Sequence, residues 1–250
     1  MKKTVIRLPQ GNFSQKLKFA LVSDLHGQAP DEVLSMLREE KPNYILMPGD
    51  IFERLDGKDD ATHNNALCLL RGAAEIAPTF YCTGNHEDGG TRSWSVRWRL
   101  EVMDRYYDEG DLQKIRESGV TMLADGFVLY EGIAFGGLCS GLINEGRMPN
   151  LSWFDEFCKV EAPRVLLCHH PEYYAKYLKD YPIDLIVSGH AHGGQWRIFG
   201  RGVFAPGQGI FPKYTAGVHD GRLVVSTGLK KSGPIPRIFN EPEVVFIELG

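Results

Sequence analysis

Five short apolar runs in this chain each stop at a cluster of metal-ligand residue types. Residues 17–23 (LKFALVS) run into Asp24-Leu25-His26, and residues 44–47 (YILM) into Pro48-Gly49-Asp50. Residues 79–82 (TFYC) lead to Gly84-Asn85-His86-Glu87, and residues 164–168 (RVLLC) to His169-His170-Pro171. The fifth run, 185–187 (LIV), opens into Ser188-Gly189-His190-Ala191-His192 and then Gly193-Gly194. Continuous apolar runs of this length read as strands buried on both faces, the kind that fill a parallel sheet covered by crossover helices.

The segments between the runs agree with that alternation. Residues 30–40 predict a helix that starts at Pro30 and Asp31 and has Val33, Leu34 and Leu37 on one face. Helices are also expected at 61–76, 151–159 and 171–180. Residues 121–138 read as short β pieces, and residues from 196 onward as short strands and glycine-rich turns. Asp220-Gly221 marks a hairpin there, and VVFIEL at 244–249 closes a sheet. Residues 88–118 break the rhythm and predict a helical insertion in an otherwise single domain spanning 1–250, with a short helix at 111–118 stopped by Gly119.

In open α/β sheets, ligands collect at the carboxyl ends of strands, so the five clusters are expected to converge. Polar residues in turns would account for an occasional aspartate or asparagine. They do not account for Asp24, His26, Asp50, Asn85, His86, His169, His190 and His192 together, which include five of the chain's eight histidines. Imidazole suits zinc or iron, and carboxylate with amide oxygen suits manganese, so the mixed set fits Mn, Fe or Zn and not calcium. Seven ligands (His86 apart) are too many for one tetrahedral ion and suit two divalent ions that share a carboxylate. Two such ions carry more positive charge than Asp24 and Asp50 return. The surplus fits a hydroxide and an anionic substrate such as a phosphoester.

The set resembles the calcineurin-like metallophosphoesterases, whose pattern is DxH, GD, GNH[DE], a single His and GHxH. The matching residues are Asp24-His26, Gly49-Asp50, Gly84 to Glu87, His169 and Gly189 to His192. GHAHGGQ and the tail GLKKSGPIPRIFNEPEV are similar to a bacterial phosphodiesterase-like subgroup. The resemblance implies a two-sheet sandwich flanked by helices, a four-layer αββα fold. It also implies that Asp24, His26, Asp50 and His192 hold one ion, and that Asp50, Asn85, His169 and His190 hold the other. His86 would then assist the leaving group instead of binding metal. Many members of the subgroup carry an N-terminal anchor. None is read here: the start MKKTVIRLPQGNFSQ has no apolar stretch after its lysines, so a cytoplasmic protein is expected.

Composition limits the rest. A formal net charge of −4 argues against a nucleic-acid partner, and no run is long enough for a membrane span. Five cysteines without a CxxC pair read as mostly buried free thiols. His170 competes with His169 as the ligand, and the HxP spacing favours His169. Arg92 and Arg97 of the insertion are candidate phosphate contacts, while Trp94 and Trp98 read as core packing. Glu87 either orients His86 or is a solvated turn residue, and His63 and His219 read as structural. The loop 198–214 is either a plain loop or a contact for a lipid-linked substrate. The functional expectation is a phosphodiesterase. A phosphomonoesterase or protein phosphatase is the alternative enzyme, and a non-catalytic metal-binding module is the alternative outside enzymes.

Overall fold

The computed structural model describes residues 1–53, 61–88, 109–140, 149–231 and 236–250. Two six-stranded sheets form the centre. The first collects β1 (Lys2–Leu8), β2 (Leu17–Leu21), β3 (Tyr44–Pro48), β4 (Thr79–Cys82) and β5 (Thr121–Met122), and its sixth member comes from the far end of the chain. The second is built from the strands that follow: β6 (Gly126–Tyr130), β7 (Ile133–Leu138), β8 (Arg164–Cys168) and β9 (Leu185–Ser188). Two small ribbons come next, β10 (Arg197–Ile198) with β11 (Arg201–Gly202), and β12 (Phe204–Ala205) with β13 (Gly209–Ile210). The hairpin β14 (Gly217–His219) and β15 (Leu223–Val225) completes the second sheet, and β16 (Glu243–Leu249) enters the first between β1 and β2.

Strand alternation assigns each face. On β2, Phe19 and Leu21 face the second sheet while Ala20 and Val22 face outward; β3 divides Tyr44 and Leu46 from Ile45 and Met47 in the same way. Phe19, Leu21, Tyr44, Leu46 and Phe80 thus meet Phe135, Val165, Leu167, Leu185 and Val187 between the sheets. The Phe80 and Phe135 rings stack with centroids 3.8 Å apart. Helices α1 (Asp31–Glu40) and α2 (Ala61–Ala74) bury Val33, Leu34, Leu37, Leu69 and Leu70 on the outer face of the first sheet. The outer face of the second sheet is covered by Phe154 and Phe157 of a short helix, Phe154–Lys159, and by Tyr174 and Leu178. The layers are therefore helix, sheet, sheet, helix, and the expected αββα fold is present.

Several expectations are refined. Lys2–Leu8 is a strand, although its charges gave no sign of one. It is an edge strand paired in parallel with β16, with Lys2, Lys3, Val5 and Arg7 facing water. Residues 171–180 contain a single π-type turn, Tyr174–Leu178, instead of a regular helix. The Asp220-Gly221 turn does close β14 onto β15, with φ of 49° and 70°. Most of residues 88–118, where an insertion is expected, lies outside the described residues, including Arg92, Trp94, Arg97 and Trp98. The last part is a helix at Glu109–Glu117, followed by Gly119 at φ 88°. All five cysteines are free; Cys82 and Cys168 are buried and Cys68 is exposed.

Candidate metal centre

Strands β2, β3 and β4 run parallel in one sheet, as do β8 and β9 in the other. Their carboxyl ends meet, and the loops are bonded to one another. Asp24 N donates to Gly49 O (3.2 Å), His26 N to Asp50 O (3.1 Å) and Gly189 N to His169 O (3.2 Å). Two contacts join the sheets at this end: His169 Nδ1 lies 2.7 Å from Pro48 O, and His190 N donates to Asp24 Oδ1 at 3.0 Å. Two glycines permit the close approach. A Cβ on Gly84 would stand 2.2 Å from Asp50 Oδ1, and one on Gly189 would stand 2.3 Å from Asp24 Oδ2.

The backbone here is strained where the chemistry is concentrated. Asp24, His26, Asp50, His190 and His192 all have positive φ, between 45° and 64°. Each such residue costs about 1–3 kcal/mol and persists only where its surroundings hold it. The turned backbones aim five side chains into one space.

Among the described residues the ligand-type atoms form four close groups; two of them, His26 with Glu53 and His86, and His170 with Glu172 and His190, include residues outside the predicted ligand set, and the other two consist of predicted ligands alone. In these two, the atoms of Asp24, His26 and His192 lie within 4.8 Å of one another, as do those of Asp50, His169 and His190. Asp50 stands between these two groups, with Oδ2 3.2 Å from His169 Nε2 and 3.8 Å from His26 Nε2. Asn85 Oδ1 is 3.2 Å from His169 Nε2. Every sequence-predicted ligand is thus brought to one place. The residues also fit a cation chemically. His26 is buried, and neither ring nitrogen makes an aligned hydrogen bond. Asp24 and Asp50 are buried carboxylates that water does not reach.

His86 sits at the rim. Its Nε2 is 4.0 Å from Asp50 Oδ2 and its Nδ1 is 2.8 Å from Glu53 Oε1. Glu53 also approaches His26 Nδ1 (3.2 Å) and accepts from Lys230 Nζ (2.7 Å). Glu53 and Lys230 were missed in the sequence, where each looks like an ordinary loop charge.

Residues 17–194, which carry all five loops, match the calcineurin-like phosphoesterase family. This chain belongs to that family. It is 26% identical over 245 residues to an uncharacterized metallophosphoesterase of Campylobacter jejuni, covering 95% of this chain and 60% of that protein. It is 25% identical over 256 residues to phosphodiesterase YaeI of Escherichia coli, covering 98% and 81% respectively. A Bacillus subtilis protein, YpbG, is 33% identical over 238 residues, covering 93% and 81%. The chain therefore spans less than two thirds of the Campylobacter relative. Phosphoester hydrolases of this family use divalent metals.

The electrostatics of the site follow from burial among opposed charges. Burial alone would raise the Asp50 carboxyl, yet His169, His86 and His26 hold it well below the usual carboxylate range. Burial would depress His169, but Asp50 pushes it up to about 10. His86 is likewise raised above the ordinary imidazole value, because Asp50 and Glu53 outweigh its burial. His26, His190 and His192 are lowered by burial and by neighbouring histidines, which leaves their rings neutral.

Glu87 does neither of the things expected of it. It is fully buried, and its carboxylate accepts from the backbone N–H groups of Asp50 (2.9 Å), Ile51 (2.7 Å), Phe52 (3.1 Å) and Gly84 (2.7 Å). It clamps the Asp50 loop to the Asn85 loop. Burial and the Asp50 charge push its carboxyl up to about 7, against those four hydrogen bonds.

His170 is buried beside the second ligand-type group. Its Nε2 contacts Ser140 Oγ and its Nδ1 is 3.5 Å from Glu172 Oε1. His63, inside α2, lies 3.8 Å from Asp111. Arg237, also missed, approaches His192 Nδ1 through Nη2 at 3.3 Å. Its tail segment is stitched to the His192 loop by Asn240 Nδ2, which donates to His192 O at 2.7 Å.

Proposed function

We propose that this chain is a dinuclear metal-dependent phosphodiesterase. The observation that carries the reading is the position of Asp50 between two ligand-type groups. Asp24, His26, Asp50 and His192 would hold one divalent ion, and Asp50, Asn85, His169 and His190 a second, drawn from Mn, Fe or Zn. When bound, such a pair would supply activation of a water molecule and charge stabilisation at phosphorus.

The chain's own residues do the remainder. The strained loops fix the ligands in place before substrate arrives. His86, whose proton affinity Asp50 and Glu53 raise against its burial, gives a proton from Nε2 to the departing oxygen while Glu53 holds Nδ1. The substrate is a small phosphoester. The exposed apolar side chains Phe199 and Phe211, in the segment that follows the His192 loop, favour a lipid-linked one.

The diester preference is supported by the likeness to phosphodiesterase YaeI. Turnover of bis-p-nitrophenyl phosphate against p-nitrophenyl phosphate with added Mn tests it. Faster diester turnover is expected. Faster monoester turnover would favour a phosphomonoesterase or protein phosphatase, and no turnover by metal-loaded protein would favour a non-catalytic binding module.

A further inference from the structure

Exposed apolar side chains are unevenly distributed over this molecule. Among the described residues, seven of the eleven exposed large hydrophobic side chains fall in 196–211 and 238–239, so most of that surface belongs to one region. Phe199, Phe239 and Phe211 are 102%, 89% and 74% exposed. All three also have positive φ, of 49°, 51° and 51°. Bulky residues rarely adopt that conformation. Strain and exposure together on three phenylalanines serve no purpose in the folded chain by itself.

The segments form one platform. Arg197 N donates to Ile238 O (2.9 Å), Val203 N to Trp196 O (2.9 Å) and Phe211 N to Val203 O (2.8 Å), so the tail, β10, β11 and the Phe211 segment lie side by side. Phe199, at the β10–β11 turn, and Phe239 flank one shallow depression. The platform is tied to the metal-centre loop, because Arg197 Nη1 donates to Gly193 O at 3.0 Å.

Charge selects the partner. Residues 190–219 and 228–240 contain six cations and no aspartate or glutamate; Lys230 is paired with Glu53, Lys231 with Glu32, and Arg197 and Arg237 are turned onto Gly193 O and His192, which leaves Arg201 and Lys213 exposed outside those contacts. Projecting aromatic side chains on segments whose exposed, unpaired charges among the described residues are Arg201 and Lys213 match the boundary between acyl chains and anionic headgroups. Among the described residues no helix is long and apolar enough to cross a membrane.

We propose that this platform docks peripherally on an anionic lipid bilayer, with Phe199, Phe211 and Phe239 entering the headgroup–acyl boundary. Docking would hold the metal-centre loop against the membrane surface. That consequence rests on the proposed function, but the docking does not, and it is measured without hydrolysis.

The test is co-sedimentation of the chain with phosphatidylcholine vesicles, with or without phosphatidylglycerol, at low and high salt, together with the emission of Trp196. Binding to the anionic vesicles is expected with a blue-shifted emission, weakening roughly tenfold or more in high salt or without phosphatidylglycerol. The double variant Ile210→Asp/Phe239→Asp should lose that binding while turning over soluble bis-p-nitrophenyl phosphate as before. Arg201→Glu, at an exposed position, should weaken it in the same direction. Failure of the wild-type chain to bind, undiminished binding by these variants, or a self-associated form that the same substitutions dissolve would each overturn the proposal.

Discussion

Asp50 Oδ2 lies 3.2 Å from His169 Nε2, and this contact joins a loop of the first sheet to a loop of the second. A carboxylate in that position is the natural bridge between two cations. Asp50→Asn keeps the shape and removes the charge. We expect metal content, measured by elemental analysis, to fall from two ions per chain to below one. Two retained ions would contradict the bridge.

The same pair makes metal uptake depend on pH. His169 is pushed up to about 10, so throughout pH 6–8 its ring carries a proton that an incoming cation must displace. The sign follows directly: fewer protons compete as pH rises, so affinity rises by about tenfold per pH unit over that window. Calorimetric titration in buffers of different ionisation enthalpy should register a released proton. A flat profile would show that His169 stays out of the metal's coordination.

His86→Gln separates chemistry from binding. The proposed ligand groups do not include His86, so metal content should stay unchanged. Hydrolysis should slow by about 10²–10⁴-fold, most for esters with poor leaving groups, because proton donation is what has been removed. Equal slowing for good and poor leaving groups would take His86 out of that role.

The effect of removing Glu87 is decided by two opposing terms. Its buried charge is unfavourable, as a carboxyl raised to about 7 indicates. Against that stand four backbone N–H donors, each costing about 1–3 kcal/mol if orphaned. The donors should win. Glu87→Ala is expected to lose about 3–5 kcal/mol of stability by denaturant unfolding, and to bind metal poorly because Asp50 N is among the donors.

These residues also mark the limit of what the sequence makes legible. Buried parallel strands leave continuous apolar runs, and their ends carry rare residue types, so β2, β3, β4, β8 and β9 and the convergence of their loops could be read directly. The edge strand Lys2–Leu8 could not, because its water-facing residues are charged and its pairing with β16 comes from the far end of the chain. Glu87 was misread because no sequence pattern reports where backbone N–H groups point. Glu53, Lys230 and Arg237 have no motif around them; only the fold brings each beside a histidine.

Arg237 leads to the last prediction. Its guanidinium donates from Nη2 to His192 Nδ1, and its buried Nη1 has no hydrogen-bond partner among the described residues. A neutral imidazole has one lone pair, and here Arg237 occupies it while Nε2 faces Asp24 Oδ1 at 3.8 Å. If His192 gives either nitrogen to a cation, the other must carry hydrogen, and the hydrogen bond from Arg237 cannot persist. The displaced guanidinium then needs an anion beside the metal pair, and a phosphoryl oxygen supplies one with matching geometry. Arg237→Ala should therefore raise KM for a phosphodiester by about tenfold or more, with Arg237→Lys recovering part of the loss. Calorimetry should show a parallel loss of inorganic phosphate affinity in metal-loaded protein. If phosphate affinity is unchanged while metal content falls, Arg237 serves His192 and not the substrate.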